Sequence, residues 1–595
     1  MASIAAAFSV GISTTLAEHP PVSDGLRLDV ALRIKRWIRR GDTVTILRGE
    51  HIMVELNGGL TPALLSRLRR IMRAVAELPF YSESDLRHLD VGTSWIPLTG
   101  DPATDTHRRE QVVAEADQSL LNRDLDLRPG ERRGRRIKPG PFLTPLLISL
   151  SFVLSFAVPF ALMVFTYQNG VDISPWFYWG VVLTLIVMAL SQFVEGAAAM
   201  RIVEPPPAPD SIPPRATAII AAYLPNEAAT IMETLESFFR QQYAGGLQII
   251  LAYNSPTDLP IEDELRRLAE QNPNFTALRV PHSRSKAGNV NAALASVEGE
   301  FVGIFDADHQ PMPGAFDRAW RWMADDVGIV QGHCVVRNGD ESDVARMVAI
   351  EFEQIYAVNH PGRARVQGFG IFGGSNGYWN TQLFRAIRFQ SRYLTEDIDS
   401  ALRAVRAGAR VVSDPGLLSR ELAPVSLRSL WKQRMRWAQG WFQVSLRHGH
   451  ATVTKSSLPW RTKAGIFVLL GWREIFPWAA SLMWPTLAFV VWRESGLPSF
   501  EPILALITLL TLTSGPIQVA FAYSVATPEI KKRTSWWWNY LFVSIFFYQE
   551  FKNLIVRIAH LRHLLRQNEW VVTPRGNTAK VTTRGAPTAA VTIIG

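Results

Sequence analysis

Long apolar stretches alternate with stretches of mixed polarity along this chain of 595 residues. Residues 142–167 and 176–200 are each long and apolar enough to cross a bilayer as a helix, as are 466–492 and 502–525. Between these two pairs the pattern shortens. Residues 217–222, 247–253, 301–305 and 328–331 are brief apolar runs bounded by turn-formers, and they predict buried strands. Residues 228–241, 261–271, 288–296 and 314–324 predict helices between them. A βαβ series of this kind builds a mostly parallel, twisted sheet. Pro205-Pro-Pro-Ala-Pro209, with Pro213 and Pro214, is a stiff linker leading into it.

The flanks read differently. Residues 1–130 are polar and mixed: 26–40 has helical spacing, 42–56 reads as two short strands around an Arg-Gly-Glu turn, and 61–78 is again helical. Thr61 is an N-cap candidate there, with Pro62 at the first helical position. A small α+β domain follows from this, with no chemistry of its own. The first twenty residues lack a basic leader, so a cleaved signal peptide is not expected. Residues 536–566 begin with about twelve clean apolar and aromatic positions, too few to span a bilayer. Glu550, Lys552, Arg557, Arg562 and Arg566 then stand among apolar residues, so 531–567 is expected to lie as an amphipathic helix at the membrane interface. Residues 579–595 read as disordered.

Charge adds topology. The net charge of +9 is mild, and its excess sits in basic runs beside apolar segments, which argues for membrane flanks and against nucleic acid. Arg128-Pro-Gly-Glu-Arg-Arg-Gly-Arg-Arg-Ile-Lys138 is such a flank; an Arg-x-x-x-Arg pair can also open a cyclic-dinucleotide site, but no Asp-x-Ser-x-x-Gly follows it. With this run cytoplasmic, the first span leads out and the second returns. The spans within 463–526 repeat the excursion and end at Lys531-Lys532-Arg533. Both termini and the 205–460 insert are then expected on the cytoplasmic side of the cell (inner) membrane. One cysteine, Cys334, excludes an intrachain disulfide.

Chemistry concentrates in the insert. Phe301-Val-Gly-Ile-Phe-Asp306-Ala-Asp308-His309 is an apolar strand running into two carboxylates, at the strand end where open α/β sheets place ligands. Two acids at i, i+2 suit a hard divalent cation. Lys286-Ala-Gly-Asn-Val-Asn291 sets a lysine at the mouth of a helix, a phosphate-binding arrangement or an ordinary cap. Thr395-Glu396-Asp397 is either an N-cap or a general base. Gln433-Arg434-Met-Arg436-Trp437 pairs guanidiniums, suited to diphosphate, with an indole on which a sugar can stack. Its alternative is a basic helix at the membrane surface. Trp570-Val-Val572-Thr573-Pro-Arg575 alone would be plain tail.

In this order, and with Phe372-Gly-Gly-Ser375-Asn376-Gly, these pieces resemble the membrane-embedded, processive family 2 glycosyltransferases, cellulose synthase and its relatives making curdlan, chitin and hyaluronan. The resemblance covers roughly residues 140–576. It implies a GT-A (Rossmann-like) α/β domain set between transmembrane helices. It implies inverting transfer from a UDP-sugar, most simply UDP-glucose, onto a growing β-linked polysaccharide that passes into or across the membrane. Asp306 and Asp308 would bind UDP, Asp308 through Mg2+ or Mn2+, and Lys286 would offset diphosphate charge. Asp397 would be the general base. Gln433, Arg434 and Arg436 would hold diphosphate, while Trp437, Glu396, Ser375 and Asn376 would face the acceptor. Residues 568–578 would be a gating loop, with Trp570 and Val572 in its body and Thr573 and Arg575 reaching the nucleotide.

Three departures stand out. Asn254 takes the place of the acid that reads uracil in the family, and its carbonyl can still accept a hydrogen bond. Tyr223-Leu-Pro225-Asn226-Glu227 is a shifted form of the family's first loop. Cellulose synthases have more spans after the gating loop, so a homodimer or accessory export subunits are expected to complete a channel wall. A non-processive transferase making a glycolipid, and a chitin-, hyaluronan- or mannan-type synthase using another sugar nucleotide, are the alternatives.

Overall fold

The computed structural model describes residues 3–12, 23–47, 51–58, 61–76, 80–82, 85–87, 89–121, 142–201, 203–280, 283, 285–390, 393–455, 458–496 and 502–565. Its first strands are β1 (Ser3–Ile12), β2 (Thr43–Ile46) and β3 (His51–Asn57), then the short pair β4 (Phe80–Ser82) and β5 (Asp85–Arg87), and β6 (Leu89–Pro97). β1, β2, β3 and β6 form an antiparallel sheet in the order β2-β3-β1-β6, and β4 pairs with β5 in a separate two-stranded one. Helices Asp24–Lys35 and Pro62–Ala76 pack on one face, through Leu26, Val30, Leu68 and Ile71 against Phe8 and Val54. Pro102–Leu121 covers the other, with Val112 and Ala116 against Ala5 and Ala7. Thr61 caps as expected, accepting the Leu64 N–H at 3.2 Å. Central β1 went unread because both its faces are covered, so no polar alternation marks it.

The larger sheet has eight strands: β7 (Ala216–Tyr223), β8 (Leu247–Asn254), β9 (Phe275–Arg279), β10 (Phe301–Asp306), β11 (Gln310–Pro311), β12 (Ile329–Val336), β13 (Gly377–Asn380) and β14 (Val411–Glu421). Their order is β11-β14-β12-β13-β10-β7-β8-β9. The run β9-β8-β7-β10 is parallel, β12 and β14 are parallel, and β13 lies antiparallel between the two halves. The four strands predicted from apolar runs are four of these. Both sheet faces are covered: Ile219, Ile250 and Ile304 meet Val290 and Leu402 on one side, and Ile220, Leu251 and Phe305 meet Leu235 and Phe316 on the other. This double burial is why these strands read as continuous apolar runs.

Among the described residues three helices are long and apolar enough to cross a membrane: Leu143–Gln168, Ser174–Ala199 and Trp460–Glu494. The fourth predicted segment is also helical, Pro502–Val525. The stretch expected at the interface is one continuous helix: Thr534–Val543, a π-helical turn Ser544–Tyr548, and Gln549–Leu564. Its polarity is the reverse of a surface helix. Trp538, Phe542 and Phe546 are 72%, 67% and 71% exposed, whereas Arg557 is buried and donates to Ser151 Oγ at 3.2 Å and to the Pro477 carbonyl at 2.8 Å.

The helix Glu396–Arg406 is fixed by a buried charge network. Asp399 accepts from Arg403 Nε at 2.8 Å and contacts His448 Nε2 at 2.7 Å. Arg403 also donates to the Ile387 and Arg388 carbonyls. Burial alone would raise the Asp399 carboxyl, yet Arg403 and His448 hold it well below the ordinary carboxylate range. Asp399→Ala leaves the buried Arg403 guanidinium uncompensated and His448 without its partner, and is expected to cost about 3–5 kcal/mol, read by thermal unfolding of the purified protein. Because the folded pKa is depressed, this stabilisation is present above the unfolded carboxylate pKa of about 3.9. It is lost as pH falls below that value, so wild type and variant are expected to converge in stability on acidification.

Candidate active site

The site forms where β10 ends. Asp306 is the last residue of that strand; its N–H donates to Ser375 Oγ at 3.0 Å, and its carboxylate lies 2.7 Å from Lys286 Nζ. Lys286 opens the helix Lys286–Ala293, whose N-cap Ser285 accepts the Gly288 N–H at 3.1 Å. The same ammonium donates to the carbonyl of Gly374. Gly374 has φ +101, and a Cβ there would fall 2.6 Å from Asp397 Oδ2. One lysine thus joins the carboxylate at the strand end to the loop against which Asp397 packs.

Glu396 and Asp397 begin the helix held by Asp399. Asp397 Oδ1 accepts the Ile398 N–H at 2.9 Å. Burial raises both carboxyls. Glu396 is pushed up to about 7 by burial and by its negative neighbour, against the pull of Lys286 and Arg436. Asp397 is also raised by burial, opposed by the Ile398 N–H, Lys286 and Arg436. The result is an adjacent acid pair that holds a proton near neutrality, facing two cations.

Asp308 lies deeper, 1% exposed, and its Oδ2 accepts the Leu422 N–H at 3.1 Å. His309 beside it contacts Glu421 at 2.6 Å and Ser419 Oγ at 3.1 Å, so the end of β14 clamps the loop after β10. His309, Cys334 and Glu421 bring possible ligand atoms within 4.8 Å of one another. Their mixed nitrogen, sulfur and oxygen set is wrong for Mg2+ or Mn2+, and the His309–Glu421 contact is a hydrogen-bond distance. Asp306 and Asp308 offer the hard oxygens such ions take, and they fit.

Several expected side chains sit differently. Asn376 is fully buried with φ +49, and its Nδ2 donates to the His333 and Leu417 carbonyls at 3.1 and 2.9 Å. It braces β12 and β14 through these two carbonyls. Arg434 is buried and ion-paired with Glu351, so its charge is already matched without a diphosphate. It also stacks 4.3 Å over the ring of half-buried Trp437, which packs against the apolar cluster around Phe352 and Tyr548. Arg436, one helical step away, is the guanidinium that acts on Glu396 and Asp397. Gln433 is half-buried on the same helix, Leu427–Lys455. Asn254 ends β8 with its carbonyl accepting from Asn289 Nδ2 at 2.8 Å, and that amide also donates to the Ala222 carbonyl at 3.0 Å. Trp570, Val572, Thr573 and Arg575 lie outside the described residues.

Two residues missed in sequence matter here. Gly374 gives Asp397 its room, and the doubled glycine at 373–374 was its signal. Glu351 neutralises Arg434; an acid inside the apolar run Met347-Val-Ala-Ile-Glu-Phe352 was the clue.

Comparison with known proteins agrees with this geometry. Residues 213–440 match the family described as glycosyltransferase like family 2. A probable glucomannan 4-beta-mannosyltransferase 14 of Arabidopsis thaliana is 29% identical over 157 residues, covering 26% of this chain and 29% of that protein. A poly-beta-1,6-N-acetyl-D-glucosamine synthase of Staphylococcus aureus (strain COL) is 25% identical over 257 residues, covering 41% of this chain and 58% of the synthase. Both matches span less than two thirds of the relative. A mannosyltransferase of Pyrobaculum calidifontis, solved with GDP-Man and Mn2+, superposes with 20% identity and a TM-score of 0.44, covering 64% of this chain and 99% of its own. That score carries no residue-by-residue correspondence. The matched residues 213–440 hold the eight-stranded sheet and the acids at the end of β10, so it is this part of the chain that is similar to family 2 glycosyltransferases.

Proposed function

We propose that the protein is a processive, inverting glycosyltransferase that extends a β-linked polysaccharide from a sugar nucleotide at the membrane. The observation that carries this is Lys286, shared between Asp306 and the loop that seats Asp397. A nucleotide diphosphate at Asp306 and an acceptor hydroxyl at Asp397 would therefore meet across one ammonium.

In this reading Asp397 takes the proton of the acceptor hydroxyl as its oxygen attacks the anomeric carbon, and the bond to the diphosphate breaks with the electron pair leaving on oxygen. Lys286 and Arg436 offset the charge that develops on the leaving group. Asn254 and Gln433 contact the nucleotide; Ser375 holds the Asp306 backbone, and Glu396 and Trp437 receive the acceptor. Arg434 is assigned to Trp437 and not to diphosphate. A divalent cation held by Asp306 and Asp308 would supply further neutralisation of the diphosphate. By the family resemblance, Thr573 and Arg575 would contact the nucleotide, and Trp570 and Val572 belong to the same 568–578 segment. The long apolar helices support a position at a membrane, and we assign the site to its cytoplasmic side.

UDP-glucose and a β-glucan are our first assignment. The relatives bear names of mannose- and N-acetylglucosamine-polymerising enzymes, so the sugar is decided by assay. Labelled UDP-glucose, UDP-N-acetylglucosamine and GDP-mannose are supplied separately to the purified protein in lipid, and product is digested with linkage-specific hydrolases. One donor is expected to yield polymer, and Asp397→Asn is expected to lower transfer at least about 100-fold. Wild-type rates in that variant would remove Asp397 as the base, and a single-sugar lipid product would favour the non-processive reading.

The raised acid pair sets the pH profile. Burial raises Asp397 above the ordinary carboxylate range, so transfer is expected to fall on acidification at a pH above that range. The charge of Asp397 helps to push Glu396 up to about 7, so Asp397 ionises first and Glu396 is protonated while it does. Glu396→Gln imitates that protonated acid and is expected to leave the acid limb in place; a limb that moves would overturn this order of ionisation.

A further inference from the structure

Glu351 stands near the end of the helix Asp343–Phe352, just before the π-helical turn Glu353–Asn359. Its side chain is 7% exposed and satisfied by three donors. Arg434 and Tyr548 donate to Oε2, Tyr548 at 2.7 Å, and Lys552 Nζ lies 3.1 Å from Oε1. The three donors come from two other segments. Arg434 is on Leu427–Lys455 with Trp437, Tyr548 closes the π-helical turn Ser544–Tyr548, and Lys552 is on Gln549–Leu564. The Arg434 guanidinium lies 4.3 Å over the Trp437 ring and 5.8 Å over that of Phe352. A second cation–π contact sets Lys552 4.8 Å over the Tyr548 ring.

Two cations therefore share one buried acid. Burial alone would raise the Glu351 carboxyl, but Arg434 and Lys552 hold it below the ordinary range, so it is charged. Without that charge Arg434 and Lys552 face each other unmatched, and a planar guanidinium so displaced no longer backs the indole. The same carboxylate ties the indole to the helix that leads into residues 568–578.

We propose that Glu351 is a positioning residue for the acceptor glycan: through Arg434 it sets the Trp437 ring as the sugar platform, and through Tyr548 and Lys552 it couples that platform to the C-terminal helix. This rests on the reading of Trp437 as an acceptor contact. Glu351 touches neither donor nor reacting atoms. Its loss is expected to spare donor turnover and to damage transfer.

The experiment uses the full chain in lipid nanodiscs with the sugar nucleotide that wild type turns over. Release of nucleoside diphosphate to water without acceptor is measured beside transfer to an added β-linked oligosaccharide. Glu351→Gln is expected to keep the hydrolytic rate and the donor KM within about twofold, while acceptor-dependent transfer falls at least about tenfold. Combining it with Trp437→Ala is expected to be no worse than Trp437→Ala alone, as for residues acting through one another. Equal loss of hydrolysis and transfer, or additive losses in the double variant, overturns the proposal. Should Glu351→Gln not fold, Arg434→Lys decides: it keeps the ion pair and loses the planar stack, so the same split is expected and unchanged transfer overturns it. A wild-type protein that turns over none of the three sugar nucleotides counts against the glycosyltransferase reading itself. An active wild type with additive variants counts only against Glu351.

Discussion

The ammonium of Lys286 is the contact on which the site depends. It is drawn to Asp306 at 2.7 Å and to the carbonyl of Gly374, and Asp397 is seated against that glycine. The acids are far apart in sequence and belong to different layers, one at a strand end and one at a helix start. A single cation between them sets their separation and lowers the cost of keeping several carboxyls in a poorly hydrated cleft. It does not cancel that cost, since Glu396 and Asp397 both remain raised. That residual is useful for a base, because a carboxyl with an elevated pKa is a better proton acceptor once ionised.

The helix Leu427–Lys455 transmits this arrangement to the rest of the chain. Toward its C-terminal part, His448 meets Asp399 and so fixes the helix that carries Asp397. Nearer its start, Arg434 meets Glu351 and the C-terminal helix. Between them Arg436 acts on the acid pair. The contacts at Asp399 and Glu351 are buried and include a carboxylate, hence expensive to break and poor at tolerating intermediate geometries. The site is therefore braced from both sides by interactions that are either made or lost.

Much of this was legible in the sequence, and the reasons differ by element. The central strands were readable because both faces of the sheet are covered, which turns each strand into an apolar run. The short antiparallel β13 was not, since four residues give no period and its pairing is decided by the strands on either side. Asp306, Lys286 and Asp397 were found by residue type and order, and the structure brings them together. Arg434 and Asn376 were assigned by motif to ligands, and the partners the structure gives them within the protein were not readable from that motif. A guanidinium takes the nearest buried acid, and Glu351 lies eighty-three positions away where spacing cannot show it. An amide in a left-handed backbone position serves the turn that holds it.

The C-terminal helix shows the same limit from the other direction. Its mixture of aromatic and basic residues fits an interfacial helix by composition, yet composition does not say which side faces out. In the structure the basic residues are drawn inward by specific acceptors: Arg557 by Ser151 and Pro477, Lys552 by Glu351, Arg562 by Thr144. The aromatic residues Trp538, Phe542 and Phe546, four apart, are left on one exposed stripe. Such a stripe is unfavourable in water and favourable against lipid, while the inward cations are favourable only if their partners stay in place. The exposed aromatic stripe and the buried polar network therefore agree on one orientation of this helix, since turning the stripe inward would break the contacts of Arg557, Lys552 and Arg562.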